Sequence, residues 1–140
     1  MLNRRKYSRL PVIKNVAKEL FVSTDKGFFK GLIINLSAGG LLLLMYADLP
    51  LGSQVCLLFD YPPLETEPIF GEVIRSVKTK AFVREIAIKF TTINPTDSNT
   101  INRIAIDYTD CENKITLGVL DVCRKECSYY NFCEKKLKIK

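Results

Sequence analysis

Apolar and polar residues alternate through much of the chain before residue 93. The clearest case is the segment FVREIAIKF, residues 82–90, in which Ile86, Ile88 and Phe90 fall on one side of an extended chain. A period of two is typical of strands with one buried face. Comparable segments separated by turn residues predict six strands, over 18–23, 28–34, 41–45, 54–61, 69–77 and 82–90. The three prolines of 61–68 predict a loop there.

The hydrophobic period changes after residue 93. Asn94 offers a helix N-cap, Pro95 suits the first helical position, and Asp97 adds an acid to the first turn. Apolar side chains then recur at helical spacing on one face, at Ile101, Ile104, Ala105 and Tyr108. The pattern therefore predicts a mainly β fold, a small antiparallel barrel of six strands with a C-terminal amphipathic helix packed against it.

Positive charge is concentrated at the two ends of the 140-residue chain. Residues 1–9 hold four cations and no acid, and residues 124–140 hold six Lys or Arg and two acids, in a chain of net charge +6. The body between these ends is therefore slightly acidic. Basic ends suit an anionic partner such as a phosphate, a nucleic acid or a membrane surface, although charged termini are also often merely solvated.

Several classes of protein are excluded by what the sequence lacks. It has no His, which removes the commonest general base, and it has no glycine-rich phosphate loop, so we do not expect an enzyme. No apolar stretch follows the basic start, so no secretory signal is predicted. The apolar stretch 31–47 is short and carries polar residues and glycines, so we expect two strands rather than a transmembrane segment, and a cytoplasmic protein.

Two short motifs carry candidate binding chemistry. The basic run RRKYSR contains Arg5 and Arg9 at the spacing R-x-x-x-R. The break NLSAGG, between two apolar strands, contains Asn35, Ser37 and Gly40 at the spacing N-x-S-x-x-G. Asn and Ser side chains at a strand end suit the edge of a planar base, but the same residues also form turns that cap their own backbone. Adjacent glycines indicate unusual backbone angles or the close approach of another group.

The two motifs together, in this order and within this strand pattern, resemble the PilZ domain family, bacterial receptors for the second messenger cyclic di-GMP. The resemblance extends over about residues 4 to 108 and includes GEVIRS and the strand IAIKF. It implies a PilZ-type barrel of six antiparallel strands and binding of cyclic di-GMP. The cysteine-containing tail lies outside it.

The resemblance also implies roles for individual residues. Arg5 and Arg9 would clamp the phosphates and a guanine, for which the planar guanidinium is suited. Asn35 and Ser37 would read a guanine edge from the barrel surface, and Gly40 would keep the backbone low enough for the ligand to lie across it. Arg4 precedes the first motif arginine, a feature of relatives that take up a stacked pair of ligand molecules.

The expected mechanism is a switch rather than a reaction. Residues 1–17 are predicted to form a flexible basic arm, 18–110 the barrel and its closing helix, and 111–140 a basic, cysteine-rich extension. Ligand binding would fold the arm over the barrel and change the surface offered to a bacterial protein partner, whose identity is unknown.

Four cysteines crowd the end of the chain, at Cys111, Cys123, Cys127 and Cys133. Four thiolates suit zinc or an iron–sulfur cluster, although the spacing is not that of a C-x2-C pair. Disulfides or redox sensing, and unlinked thiols, are the alternatives. The tail would then couple metal or redox state to the messenger response. Cys56, in a predicted strand, is expected to be a small buried apolar residue.

Two other functions compete with a cyclic di-GMP receptor. One is a PilZ-fold interaction module that does not bind nucleotide, with a metal- or redox-responsive cysteine tail. The other is a single-strand nucleic-acid binder, but the aromatic residues are spread through the strands without interleaved basic residues. We therefore do not expect DNA as a partner.

Overall fold

A computed structural model of the chain describes residues 11–61, 64–80, 82–119, 127 and 129. Within this part of the chain there are eight strands and one helix. The strands are β1 (Ile13–Thr24), β2 (Gly27–Ser37), β3 (Gly40–Met45), β4 (Gln54–Leu57), β5 (Asp60–Tyr61), β6 (Leu64–Glu65), β7 (Ile69–Lys80) and β8 (Val83–Thr92), and the helix is α1 (Pro95–Thr116).

Six of the strands close into an antiparallel barrel with the order β1-β2-β3-β8-β7-β4, which confirms the predicted fold. The remaining two strands, β5 and β6, pair with each other in a separate two-stranded sheet. The strand predicted over 54–61 is thus divided into β4 and β5, and the loop predicted over 61–68 contains β6. Strands of two residues are too short to produce an alternating pattern, so the sequence carries no signal for them.

The core fills the barrel with the side chains that the alternation predicts to face inward. Val55, Leu57 and Phe59 are all buried, as are Ile86 and Ile88. Helix α1 buries Ile101, Ile104 and Ala105 on its predicted apolar face and contacts β1, β2 and β6. The helix therefore lies beside the part of the barrel where β1 and β2 pair.

Helix α1 begins as predicted. The Asn94 Oδ1 accepts a hydrogen bond from the backbone N–H of Thr96 at 2.8 Å, and Pro95 follows in the first turn. Asp97 is buried, and its carboxylate accepts a hydrogen bond from the backbone N–H of Glu67 at 3.0 Å. The helix continues to Thr116, so Cys111 belongs to α1. No helix in the described part of the chain is long and apolar enough to cross a membrane.

Strand β1 begins at Ile13, five residues before the strand that the pattern predicts. Its pairing with β2 is interrupted by a register shift between Lys14 and Lys18, and Ala17 has φ of 56°. Such a bulge breaks the alternation on which the prediction rests. Residues 13–17, predicted to lie in the flexible arm, are therefore part of the barrel. The rest of the predicted division stays a prediction, because residues 1–10 and most of 120–140 lie outside the described residues.

Candidate ligand-binding surface

The three residues of the N-x-S-x-x-G motif meet at the hairpin between β2 and β3. Leu36 and Leu41 point into the core, so the alternating residues on either side of them face outward. Ser37 pairs with Gly40 across the turn, and Asn35 pairs with Leu42. Together with Val12, these outer residues line a shallow depression of about 200 Å³. We call it the hairpin depression.

Ser37 closes its own turn. Its Oγ accepts a hydrogen bond from the backbone N–H of Gly39 at 3.2 Å and donates one to the carbonyl of Gly40 at 3.4 Å. The interpretation of NLSAGG as a segment that caps its own backbone is therefore correct for Ser37. Because a hydroxyl oxygen has two lone pairs, one acceptor position on Ser37 is left for a ligand.

Asn35 differs from Ser37 in having an unused side chain. Its amide is half-buried and makes no hydrogen bond to another described residue. The pairing of β2 with β3 shifts register between Ile33 and Asn35, and a bulge of this kind re-aims the side chain next to it. Asn35 therefore presents an amide with two donors and one acceptor beside the hairpin depression.

Gly40 has a structural reason to be glycine. A Cβ at this position would lie 2.2 Å from the carbonyl oxygen of Ile88 on β8, which is far closer than van der Waals contact allows. The carbonyl of the preceding Gly39 accepts a hydrogen bond from the backbone N–H of Phe90 at 2.9 Å. The close approach that the glycines indicate is thus an approach of β8. Room for a ligand over Gly40 stays a prediction.

The start of β1 lies beside the motif. Ile13 pairs with Leu36 and Lys14 pairs with Asn35, so the chain enters the barrel along the edge of the hairpin depression, where Val12 is part of the lining. The three predicted arginine ligands, Arg4, Arg5 and Arg9, lie outside the described residues.

Two lysines that the motif analysis missed flank the hairpin depression. Lys14 is opposite Asn35 on β1, and Lys89 is opposite Gly40 on β8. Both are exposed, and neither forms an ion pair with another described residue. The alternation predicts that Lys89 faces outward, but only the register of β3 with β8 puts it next to the motif. Both lysines add positive charge that favours an anion at this surface.

Helix α1 packs Tyr108 against the core. Burial raises the pKa of the Tyr108 phenol above its ordinary value, and the negative charge of Glu112 adds to the rise. A backbone hydrogen bond from Lys14 acts on this pKa in the opposite direction. The Tyr108 ring also packs edge-on against the ring of Tyr129, with 4.9 Å between centroids.

The cysteines do not form a recognisable site in the described part of the chain. Cys111 on α1 and Cys127 are both half-buried, and Cys127 packs against the core. Cys123 and Cys133 lie outside the described residues, and among the others there is no group of three or more His, Cys, Asp or Glu that would hold a metal. The predicted zinc or iron–sulfur site therefore has no support from these residues.

The prediction that Cys56 is a small buried apolar residue was wrong. It is half-buried and lies between Ser23 and Phe70 in the strand register. Its neighbours Val55 and Leu57 fill the barrel, so alternation puts Cys56 on the outer face. The alternation of Val55, Leu57 and Phe59 in the sequence already implied that Cys56 faces outward.

The sequence profile of the PilZ domain matches residues 3–107. The chain therefore belongs to the PilZ domain family, as its two motifs and its strand pattern predicted. A comparison with curated proteins found no match.

Three solved structures are similar to this chain. The PilZ domain of YcgR from Escherichia coli, solved with cyclic di-GMP, is 15% identical and the match covers 76% of this chain and 93% of that one, with a TM-score of 0.52. YcgR from Escherichia coli in complex with cyclic di-GMP is 16% identical, with coverage of 77% and 48% and a TM-score of 0.56. The inhibitor of motility MotI/DgrA of Bacillus subtilis is 22% identical, with coverage of 70% and 49% and a TM-score of 0.53. The chain thus spans about half the length of the last two, and the likeness establishes the fold.

Proposed function

We propose that this protein is a receptor for cyclic di-GMP, which binds at the hairpin depression together with the basic residues that precede β1. The observation that carries the proposal is the pairing of Lys14 with Asn35. This pairing brings the point where the chain enters the barrel to the second motif. Two solved relatives, YcgR and its PilZ domain, were determined with cyclic di-GMP, and this supports the choice of ligand.

Chain length supports the participation of the arginines. Arg9 is three residues before Val12, which lines the hairpin depression. Three residues span at most about 11 Å, and an arginine side chain adds further reach. We propose that Arg9 reaches a ligand in the depression, and Arg5 precedes it by four residues.

The arginines before β1 and the side chains at the hairpin depression suit different groups of the nucleotide. Arginine binds phosphate oxygens in a bidentate manner and also matches O6 and N7 of guanine. The amide of Asn35, which has no hydrogen-bond partner among the described residues, offers both donors and an acceptor to a guanine edge. Ser37 offers one acceptor position. Lys14 and Lys89 supply additional positive charge for the two phosphates. Arg4 is proposed to recruit a second, stacked ligand molecule.

The output that we propose is an ordering of the residues before β1 when the nucleotide binds. A segment held across the barrel surface changes the surface that the domain presents, and a protein partner would detect that change. The C-terminal cysteines are proposed to adjust this response, either through a bound metal or through thiol oxidation.

Calorimetric titration of cyclic di-GMP into the folded, reduced protein tests the proposal. Cyclic di-AMP is the matched control, because it has the same phosphates and differs in its bases. We expect micromolar or tighter binding of cyclic di-GMP and much weaker binding of cyclic di-AMP. Two molecules per chain would support the role of Arg4. Absence of binding would overturn the receptor function and leave the interaction module as the better hypothesis.

A further inference from the structure

Four large apolar side chains are exposed on the outer face of the barrel around β1 and β4. The exposed fractions are 59% for Phe21, 76% for Phe28, 56% for Leu58 and 48% for Phe70. The strand register joins two of them in one row. Phe28 pairs with Ser23 of β1. Ser23 in turn pairs with Cys56 of β4, which pairs with Phe70. Two exposed aromatic rings therefore lie at the ends of a row whose middle residues are small.

The small residues form the floor of a groove. Ser23 and Cys56 line both of two adjoining depressions, of about 570 and 610 Å³. Three of the four exposed apolar side chains line the first depression, and the fourth lines the second. The first depression reaches Asp60 and the second reaches Gln54, which are separated by about 20 Å of extended chain. We call the two depressions together the outer groove. A contiguous exposed apolar surface of this kind is typical of an interaction site.

The end of the outer groove at β5 is acidic. Residues 58–70 contain three acids and no cation, in a chain of net charge +6. Asp60 of β5 pairs with Glu65 of β6, and both are exposed. Like charges directly opposite each other on two strands repel, and neither carboxylate forms an ion pair with another described residue. A cation from another molecule would relieve this repulsion.

Two lysines of the chain show that the aromatic rings near this end attract cations. The Lys30 Nζ lies 6.0 Å from the centroid of the Phe21 ring and 3.7 Å from a carboxylate oxygen of Glu19. The Lys18 Nζ lies 5.9 Å from the centroid of the Tyr61 ring. Such contacts between a cation and an aromatic face are attractive. Since Glu19 already has a cation, the carboxylates of β5 and β6 are the ones left for a cation of a partner.

We propose that the outer groove is a docking site for an extended, basic segment of a partner protein. Apolar side chains of the segment lie between the exposed phenylalanines, and a Lys or Arg lies at the carboxylates of β5 and β6. The barrel is closed, so the segment binds through its side chains rather than as an added strand. A second copy of the barrel suits this surface less well, because the body between the basic ends of the chain is slightly acidic.

The outer groove is separate from the hairpin depression. Phe28 and Asn35 lie near opposite ends of β2, about 23 Å apart along an extended strand. The inference therefore goes beyond the proposed nucleotide function and does not depend on it.

The test uses a fluorescent peptide, Leu-Ser-Leu-Ser-Leu-Lys-Arg-Lys, as the probe. Its leucines share one face of an extended chain, and its cations follow at one end. One control peptide replaces the cations by Glu, and another replaces the leucines by Ser. In fluorescence anisotropy with the full-length, reduced protein and no nucleotide, we expect the probe to bind about tenfold more tightly than either control. A parent protein that bound no probe, or bound the acidic peptide equally well, would overturn the proposal.

Phe28→Ser and Phe82→Ser form a matched pair of variants. Both side chains are 76% exposed, but Phe82 lies between β7 and β8 and does not line the outer groove. We expect Phe28→Ser to weaken probe binding about tenfold and Phe82→Ser to leave it unchanged. Asp60→Asn should weaken it about two- to fivefold and reduce its salt dependence. Equal losses in the two phenylalanine variants would indicate non-specific adhesion and overturn the proposal.

Alkylation of Cys56 by iodoacetamide, followed by mass spectrometry, locates the bound probe. The reaction at Cys56 should slow when the probe binds, whereas that at Cys111 on α1 should not change. Probe binding without an effect at Cys56 would contradict the proposed place. If sedimentation showed a dimeric parent and a monomeric Phe28→Ser variant, a second copy would occupy the groove, and the proposed partner would be wrong. None of these measurements involves cyclic di-GMP, so a failure of the proposed function would be recognised separately.

Discussion

The two turns at opposite ends of β2 are built alike. Thr24 pairs with Gly27 across the first turn, and Ser37 pairs with Gly40 across the second. In the first, the hydroxyl accepts from the backbone N–H of Lys26 at 3.0 Å and donates to the carbonyl of Gly27 at 3.2 Å. In the second, the corresponding distances are 3.2 and 3.4 Å. A hydroxyl and a glycine three residues apart are therefore a turn-closing device.

The glycines of the two turns meet different physical requirements. Gly27 has φ of 125°, and nothing lies within 4 Å of where its Cβ would be. It is glycine because of its backbone conformation. Gly40 lies outside the left-handed region, but a Cβ there would collide with the carbonyl of Ile88. It is glycine because β8 comes so close.

Asn35 is the feature of the second turn that the first turn lacks. The equivalent position before the first turn is Val22, which is fully buried in the core. Asn35 instead is half-buried beside the start of β1, and its amide has no hydrogen-bond partner in the part of the chain that the structure describes. The comparison indicates that the ligand-specific information in N-x-S-x-x-G lies mainly in Asn35, whereas Ser37 and Gly40 build the turn and its contact with β8.

The largest expected effect is that of Gly40→Ala on stability. A Cβ at 2.2 Å from a backbone oxygen forces β3 and β8 apart, so we expect a loss of about 3 kcal/mol or more in the free energy of unfolding. Gly27→Ala is the matched control. Its strain is conformational and lies at a surface turn, so it should cost only about 1–2 kcal/mol. Urea denaturation measures the free energy of unfolding of both variants. A larger loss for Gly27→Ala would contradict the view that the close approach of β8 makes Gly40 the more demanding position.

Asn35→Ala should separate binding from folding. We expect cyclic di-GMP affinity to fall tenfold or more, since a good contact to a base edge contributes about 1–3 kcal/mol. The free energy of unfolding should change by less than about 0.5 kcal/mol, because the amide has no partner among the described residues. Titration calorimetry and urea denaturation on the same preparations give both quantities.

The variant Asn35→Asp sharpens this result, because it keeps an oxygen acceptor and removes the two N–H donors. Affinity retained in Asn35→Asp, despite the negative charge that the variant adds near the two phosphates, would assign the contact to the oxygen. Unchanged affinity in Asn35→Ala would contradict the view that Asn35 carries the ligand-specific part of the motif.

The hydroxyls of the two turns should behave alike in stability. Ser37→Ala and Thr24→Ala each remove one donated and one accepted hydrogen bond, so we expect each to cost about 0.5–1.5 kcal/mol. Ser37→Ala should weaken nucleotide binding less than Asn35→Ala does, because Ser37 has only one acceptor position left. A loss of affinity in Ser37→Ala as large as that in Asn35→Ala would mean that the hydroxyl contacts the ligand directly.

Much of the fold was predictable because side-chain alternation survives wherever a strand is regular. Val55, Leu57 and Phe59 were predicted on one face and all three are buried. The start of β1 was not predictable, since its bulge breaks the alternation between Lys14 and Lys18. The same rule explains why the two-residue strand β6 was missed and why β5 was not distinguished from β4.

The candidate site was predictable only in part, because a motif records residue types but not strand register. Asn35, Ser37 and Gly40 were identified from their spacing. That β8 requires Gly40 to be glycine, and that Lys89 lies next to it, depends on the pairing of β3 with β8. Tyr108 was predicted on the apolar face of the helix, but nothing in the helical spacing indicates that the Tyr129 ring would pack against it.

The smallest expected effect concerns the pH dependence of the stability contributed by Tyr108, which packs against the core. The folded state raises the pKa of Tyr108 above 10.0, so it favours the neutral phenol. The corresponding stability is fully present below about pH 10 and is lost as the pH rises through the folded-state pKa. Tyr108→Phe has no such titration. The stability difference between the parent and Tyr108→Phe should therefore be constant from pH 7 to 9 and shrink above pH 10, as measured by urea denaturation under reducing conditions. A difference that grew with pH would mean that the phenolate is stabilised in the folded protein, and that the Lys14 N–H outweighs both burial and the charge of Glu112.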